Sequence, residues 1–304
     1  MRLGIDLGGT KTEIVALDAG GRERIRRRVP SPTGDYRATV ETIAHLVRAA
    51  DSELGVAGTV GIGIPGTISP ATGLVKNANS TWLIGHPFDR DLAAAIGRPV
   101  RIANDANCLA LSEAADGAGA DYRVVFGVIL GTGVGGGLAI DGAVVTGANA
   151  IAGEWGHNPL PWAEHDEAAA PRCWCGKNHC IETFLSGPAL ERDWKRATGK
   201  PSAAAEIVRR AEAGDTNADA VLRRYEIRLA KALASVINVL DPDVIVLGGG
   251  VANAARLYRN VPPIWQRFAF SDEIATSLLP ARHGDSSGVR GAARLWAADA
   301  SSPT

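Results

Sequence analysis

Two glycine-rich segments stand far apart in this 304-residue chain, and a carboxylate-bearing polar segment lies between them. The first, Gly4-Ile5-Asp6-Leu7-Gly8-Gly9-Thr10-Lys11-Thr12, offers backbone N–H groups, a hydroxyl and an ammonium at a tight turn, a set suited to polyphosphate. Asp6 just ahead of the turn is a candidate metal-facing carboxylate. The spacing is not that of a Walker A loop, and a plain hairpin is the competing reading. The second segment, Leu130-Gly131-Thr132-Gly133-Val134-Gly135-Gly136-Gly137 followed by Leu138, puts five glycines in seven residues, more than structure alone commonly needs. Between them, Ala103-Asn104-Asp105-Ala106-Asn107 follows a strand-like run. Asp105 there could accept the proton of a hydroxyl whose oxygen attacks phosphorus, although a helix N-cap uses the same residue type. A phosphate cradle, a metal ligand and a base are the parts phosphoryl transfer asks of a protein, so the sequence reads as a kinase. Gly248-Gly249-Gly250, directly after an apolar run, is expected against a nucleotide's base or ribose, with a tight strand-to-helix turn as the alternative.

A second chemistry lies in Cys173-x-Cys175-x4-Cys180. Three thiols within eight residues, in a chain of four cysteines, read as structural zinc ligands that lack a fourth. His157, His165 and His179 are the candidates; His179 adjoins Cys180, which would strain a chelate using both. The remaining Cys108 reads as a small buried residue. Glu154, His157 and Glu182 bracket the cysteine loop and could hydrogen-bond sugar hydroxyls, each both donor and acceptor. The amides of Asn77-Ala78-Asn79-Ser80-Thr81 suit the same task.

The elements that must position these groups follow from periodicity. Residues 2–7 and 12–17 read as a hairpin around Gly8-Gly9. Arg22–Arg28 reads as a solvated strand or loop face. Tyr36–Leu54 and Phe88–Ile96 have helical patterning, and Thr59–Ile64, ending in Pro65-Gly66, is strand-like, as is Val100–Ile102. Residues 67–86 read as irregular, and Leu109–Ala115 as helical. Gly117–Asp121 reads as a hinge, and Val124–Leu130 as a strand feeding the second glycine segment. Asp141-Gly142 is a hairpin signal between Leu138–Ile140 and Val144-Val145. Ala203–Ala213 and Ala218–Leu240 are expected helices, the latter stopped by Asp241-Pro242. Val244–Leu247 is an expected buried strand and Val289–Ala297 a final helix. Strand, glycine turn, strand opens both halves, which favours two related α/β domains facing a cleft. With 46% hydrophobic and 21% charged residues and a net charge of −1, the composition gives no argument for a nucleic-acid or membrane partner. No apolar run reaches the length of a membrane span, and no secretion signal is visible, so a reducing cytoplasm is the expected setting.

These motifs, taken in order, resemble the ROK family (repressors, open reading frames and kinases) along nearly the whole chain. Ile5-Asp6-Leu7-Gly8-Gly9-Thr10-Lys11, Asn104-Asp105-Ala106-Asn107, Gly131-Thr132-Gly133, Gly153-Glu154-Trp155-Gly156-His157 and Cys173-x-Cys175-Gly176 carry the resemblance. Lys76–Trp82, Gly156–Trp162 and His283–Gly291 look like the manno(fructo)kinase branch in particular. The resemblance implies a two-domain actin-like and hexokinase-like (ribonuclease H-like) α/β fold with a central cleft. Its domains would span residues 1–118 together with a C-terminal helix over 287–304, and residues 119–286. It implies Asp105 as base, Asp6 near Mg²⁺, the residues Gly4–Lys11 and Gly131–Leu138 on the ATP phosphates, and Gly248 and Gly249 beside the adenosine. Gly66, Asn79, Asn104, Asp105, Glu154, His157 and Glu182 would meet the sugar, with His157 completing the zinc site. The expected reaction is ATP-dependent phosphorylation of a hexose 6-hydroxyl, fructose foremost, with an N-acetylglucosamine or glucose kinase as alternative. A sugar-sensing protein without catalysis and a transcriptional repressor are the readings from other classes, the second disfavoured because no helix-turn-helix segment precedes the first turn. A homodimer is expected. In one departure, His179 stands where the family commonly has Gly, a residue suited to positive φ.

Overall fold

A computed structural model describes residues 1–164, 167 and 170–296. The chain divides into two compact units: Met1–Gly117, Gly137–Ala152 and the segment from Asp285 form the first, Ala118–Gly136 and Gly153–Gly284 the second. Residues 137–152, which lie inside the 119–286 stretch expected for the second domain, pack with the first unit.

The first unit is built on a sheet of β1 (Arg2–Leu7), β2 (Lys11–Leu17), β3 (Glu23–Pro30), β4 (Thr59–Ile64) and β7 (Val100–Asn104), in the order β3-β2-β1-β4-β7. A two-stranded ribbon of β5 (Thr67–Ile68) and β6 (Val75–Lys76) lies within the stretch read as irregular. β1, β2 and β3 pair antiparallel, whereas β1, β4 and β7 run parallel. Alternation along β1 sends Leu3, Ile5 and Leu7 into a core shared with Ile43 and Val47 of α1 (Tyr36–Leu54) and with Phe88 and Leu92 of α2 (Phe88–Ile96). Each such side chain, fully buried, contributes about 1.5–3 kcal/mol. Asp35 caps α1 by accepting from the Ala38 N–H, and Gly55 at φ 65° ends it. The other face carries α3 (Asp105–Asp116) and α9 (Ser287–Ala293). There glycine is a packing requirement: a Cβ at Gly61 would stand 1.9 Å from the Ala292 carbonyl, and one at Gly291 1.7 Å from that of Cys108. The expected final helix ends earlier, at Ala293, and residues 297–304 lie outside the described residues.

The second sheet has the order β10-β9-β8-β11-β12, from β8 (Val124–Leu130), β9 (Val134–Ile140), β10 (Ala143–Val144), β11 (Val244–Gly248) and β12 (Ser277–Pro280). β8, β11 and β12 run parallel. Asp141 and Gly142, at φ 50° and 73°, form the tight turn between β9 and β10 that their types foretell. The short α4 (Glu182–Leu185) leads into α5 (Gly187–Thr198), α6 (Ala204–Glu212) and α7 (Thr216–Leu240), and α8 (Arg256–Trp265) follows β11. Leu222, Tyr225, Leu229 and Leu233 of α7 are buried with Phe126, Val128, Ile245 and Leu247 of the strands, and the Tyr225 hydroxyl donates to the Leu185 carbonyl at 2.7 Å. Among the described residues no helix is long and apolar enough to cross a membrane.

Candidate active site and metal centre

In the first unit, β1 delivers Asp6 to its C-terminal end and the hairpin returns through Gly8-Gly9-Thr10-Lys11. The turn is braced through its carbonyls: Ser31 Oγ donates to Gly8 O at 2.7 Å, and Thr33 Oγ1 to Gly9 O at 2.9 Å. A Cβ on Gly9 would meet nothing within 4 Å, so the turn's outer side is open to a ligand. Ser31 and Thr33 were not foreseen; their Ser-Pro-Thr-Gly stretch signals only a loop.

Parallel pairing of β4 with β7 brings Asn104, at the last position of β7, opposite Ile64. Asn104 caps α3 with its carbonyl oxygen, accepting from the Ala106 N–H at 2.9 Å, and its amide nitrogen donates to Gly66 O at 3.4 Å. The capping role considered for Asp105 thus falls to Asn104, and Asp105 opens the helix with its Oδ1 on the same N–H at 2.8 Å. Gly66, at φ 88°, is a glycine because a Cβ there would stand 2.5 Å from the Lys76 carbonyl. It therefore seats the Lys76–Ala78 backbone beside Asn104, while Asn79 on the same segment is exposed. Burial lifts the Asp6 carboxyl, and the Asp105 and Glu13 carboxylates lift it further against Lys11 and Arg28, to about 7. Carboxylates held this close favour a hard divalent cation as counter-charge, which fits Mg²⁺ at Asp6.

In the second unit the turn Gly131-Thr132-Gly133 joins β8 to β9. Val134, Gly135, Gly136 and Gly137 of the glycine segment lie in strand β9, together with Leu138. Packing accounts for two of these glycines. A Cβ on Gly136 would meet Trp155 Cδ1 and Gly153 O at 2.6 Å, and one on Gly137 would stand 2.3 Å from Ala106 O. The turn is held from both sides, by Gly187 N–H donating to Gly131 O at 2.8 Å and by Val134 N–H donating to Glu182 Oε2 at 3.0 Å. Gly249, at φ 88°, would place a Cβ 2.5 Å from Leu130 O, so the Gly248-Gly249 segment lies directly against the end of β8. Nearby, α5 and the approach to α6 line a cavity of about 580 Å³ with Pro188, Glu191, Arg192, Lys195 and Pro201. No motif announced it.

The cysteine loop closes on itself. Leu160 N–H donates to His179 O and Cys173 N–H to Lys177 O, both near 2.9 Å. Among the described residues, one atom each from His157, Cys173, Cys175 and Cys180 lies within 4.8 Å of all the others. His157 Nδ1 is 3.6 Å from Cys173 Sγ, and Cys175 Sγ is 3.6 Å from Cys180 Sγ. Ligand bonds of roughly 2.0–2.3 Å in a tetrahedron set such edges, so the cluster is compatible with structural zinc. Burial, with Cys175 and Cys173 alongside, pushes the Cys180 thiol up to about 12. Three thiolates therefore need a cation to share this space. Of the histidines considered, His157 joins the cluster, His179 does not, and His165 lies outside the described residues. His179 has φ 60°, the left-handed conformation that glycine would hold at that place without strain. Glu154 directly precedes the short helical turn Trp155–His157. Glu182, expected on the sugar, has both oxygens engaged within the protein: Oε2 by Val134 and Oε1 by the Trp174 indole N–H at 2.7 Å.

The model of the ROK family matches residues 2–299. The chain belongs to the ROK family. A relative from Yersinia enterocolitica named N-acetyl-D-glucosamine kinase is 42% identical over 299 residues, 97% of this chain and 99% of the relative. Among solved structures, a ROK hexokinase from Thermus thermophilus is 34% identical with a TM-score of 0.84, covering 97% of this chain and 96% of its own. A ROK glucokinase from Streptomyces griseus, solved with glucose and AMPPNP, is 27% identical with a TM-score of 0.79, covering 97% and 98%. The fold is accordingly the two-domain, actin-like α/β fold of these enzymes, and the chain is an ATP-dependent sugar kinase.

Proposed function

We propose that the chain transfers the γ-phosphoryl group of ATP to the 6-hydroxyl of N-acetyl-D-glucosamine. The observation that carries the sugar is its 42% identity to the N-acetyl-D-glucosamine kinase over nearly the full length of both proteins. In this reading Asp105 takes the proton of the 6-hydroxyl as that oxygen bonds to the γ-phosphorus. The electron pair of the breaking P–O bond leaves on the β-phosphate, giving ADP. Amides of the Gly8-Gly9-Thr10-Lys11 and Gly131-Thr132-Gly133 turns hold the phosphates, Gly248 and Gly249 flank the adenosine, and Asp6 holds Mg²⁺. Bound there, Mg²⁺ supplies charge neutralisation on the phosphates. Asn104, Glu154, His157 and Glu182 orient the sugar through its hydroxyls. The cavity beside Pro188 and Lys195 suits the nucleobase, with apolar walls and a cationic rim. His157, Cys173, Cys175 and Cys180 would hold zinc, whose charge would let three thiolates share the loop that carries His157.

Fructose is the second reading, favoured by the likeness of Lys76–Trp82 and Gly156–Trp162 to the manno(fructo)kinase branch. Initial rates with ATP and Mg²⁺ on N-acetylglucosamine, glucose, mannose and fructose decide between them. The highest kcat/KM is expected for N-acetylglucosamine. A fructose optimum transfers the assignment to fructose with the same base and turns, and no turnover on any sugar would leave a binding protein without catalysis.

A further inference from the structure

The Gly8-Gly9 turn and the segment Asn77–Trp82 lie far apart in sequence, yet both are fastened to the start of α1, within the first unit. Trp82 is half-buried, and its indole N–H donates to Thr39 Oγ1 at 3.2 Å. Thr39, itself buried, hands the chain of hydrogen bonds on: its Oγ1 donates to Asp35 O at 2.7 Å. Asp35 is the cap of α1 and closes the loop before it, its N–H donating to Pro32 O at 3.3 Å. From that loop Ser31 and Thr33 hold the Gly8 and Gly9 carbonyls, and the Ser31 N–H donates to Thr10 O at 3.0 Å. Beside Trp82, Tyr36 stacks on His86 with ring centroids 3.8 Å apart, and its hydroxyl donates to Asp91 Oδ2 at 2.5 Å. The base of this second loop is closed by Val75, whose N–H donates to His86 O and whose carbonyl accepts from Gly85. The stretch that carries Asn79 is thus shut at its base and tied to α1 through Trp82.

We propose that Trp82 is a positioning residue which, through Thr39, joins the Asn77–Trp82 segment and the Gly8-Gly9 turn into one braced unit, so that a sugar ordering the segment also tightens ATP at the turn. A ligand that stiffens a shared element spares the next ligand part of the cost of ordering it. Linkage makes the effect reciprocal, so ATP tightens the sugar by the same factor. An indole is needed because its N–H is a donor only, and the Thr39 hydroxyl, which gives its proton to Asp35, has an acceptor lone pair free for it. The consequence for sugar and nucleotide rests on the proposed function, in which Asn79 faces the sugar and the turn the phosphates; the brace itself rests on the hydrogen bonds alone.

The test uses Trp82→Phe, which keeps a ring and deletes the donor, Thr39→Val, which keeps the shape and deletes the hydroxyl, and Thr39→Ser, which restores it. Amide hydrogen exchange at Ser31 is one readout. The other is the Kd of an unhydrolysable ATP analogue with and without saturating N-acetylglucosamine or fructose. In the wild type, N-acetylglucosamine is expected to tighten the analogue by about fivefold, the low end of coupling between sites. Trp82→Phe should cut that factor to below about twofold and speed Ser31 exchange by about threefold, the weight of one neutral hydrogen bond. Its Kd for the analogue without sugar should stay within about twofold of wild type, which a merely damaged fold would not allow. Thr39→Val should behave like Trp82→Phe, and Thr39→Ser like the wild type. Wild-type Ser31 exchange or undiminished coupling in Trp82→Phe overturns the proposal, as does a wild type that binds the analogue and both sugars with no coupling between them. Tightening by fructose in place of N-acetylglucosamine moves the sugar assignment and upholds the brace. A wild type that binds neither sugar nor analogue sinks the proposed function, and with it the coupling, while Ser31 exchange still decides the brace.

Discussion

In the first unit the Asp105 carboxylate acts electrostatically on Asp6, and the proposed reaction asks a different task of each. Replacing Asp105 with Asn keeps its size and its contact with the start of α3 but removes the base. We expect kcat to fall by about 10²–10⁴, the usual worth of general-base catalysis, with ATP and sugar binding retained; full turnover in that variant would remove Asp105 from the mechanism. Asp6 differs in that burial and its acidic neighbours raise it to about 7 from an ordinary 3.8. A carboxyl raised in the folded protein keeps its proton where the unfolded chain has lost it. Its contribution to stability is therefore full below the unfolded value and is lost as pH rises toward the folded one. In EDTA, the melting temperature should decline from about pH 4 to 7 more steeply for wild type than for Asp6→Asn. Parallel curves would show that Asp6 carries no such proton. At His179 the strain is conformational. A non-glycine residue at φ 60° costs roughly 1 kcal/mol, so His179→Gly should raise the melting temperature slightly without loss of bound metal, as read by thermal unfolding and metal analysis.

At the scale of elements, glycines decide how closely backbones approach. α9 lies on β1, β4 and α3 only because Gly4, Gly61 and Gly291 lack side chains. Gly291→Ala would drive a methyl group into the Cys108 carbonyl, well inside contact distance, so either α9 lifts or α3 shifts. The expected result is a loss of several degrees in melting temperature or insoluble protein; a variant as stable as wild type would mean that α9 does not pack as described. The same contacts explain what the sequence disclosed. Elements with a clean period and local punctuation were legible to the residue: α1 between Asp35 and Gly55, β4 before Pro65, and β8 before its glycine turn. α5 went unseen because it opens on Gly187-Pro188 and is largely polar, though Ser186 and Gly199 are proper caps. α8 was hidden by Pro262-Pro263 inside it. The glycine run reads as one loop because nothing local marks where its strand begins; only contacts with Trp155 and Ala106 show why Gly136 and Gly137 belong to β9. The positions of the two turns, the place of Asp105 directly after β7 and the clustering of the three cysteines were legible because each is local in the chain. The contact of Glu182 with Val134 and the Ser31–Thr33 brace were not, because those partners lie more than twenty residues away.

Across the whole molecule, the two sheets share one plan: each central strand has an edge pair on one side and two parallel strands on the other. Both glycine turns occupy the same place in that plan, after the central strand. Under the proposed function, the repetition gives two turns far apart in sequence the same backbone for phosphate and leaves choice of sugar to side chains on the connecting segments. That choice can be read without turnover. An acetamido group carries one donor and one acceptor, and a site built to pair them leaves its own polar groups unmatched when fructose or glucose enters. The penalty of burying unpaired polar groups exceeds what one extra apolar contact can recover. Binding to the folded state alone stabilises it by about 2.7 kcal/mol at a hundredfold excess over Kd. Asp105→Asn, slowed in turnover, should therefore melt several degrees higher with N-acetylglucosamine and an unhydrolysable ATP analogue than with fructose and the same analogue. A larger shift with fructose would show that the sugar-facing segments follow the fructokinase pattern despite the kinship of the chain as a whole.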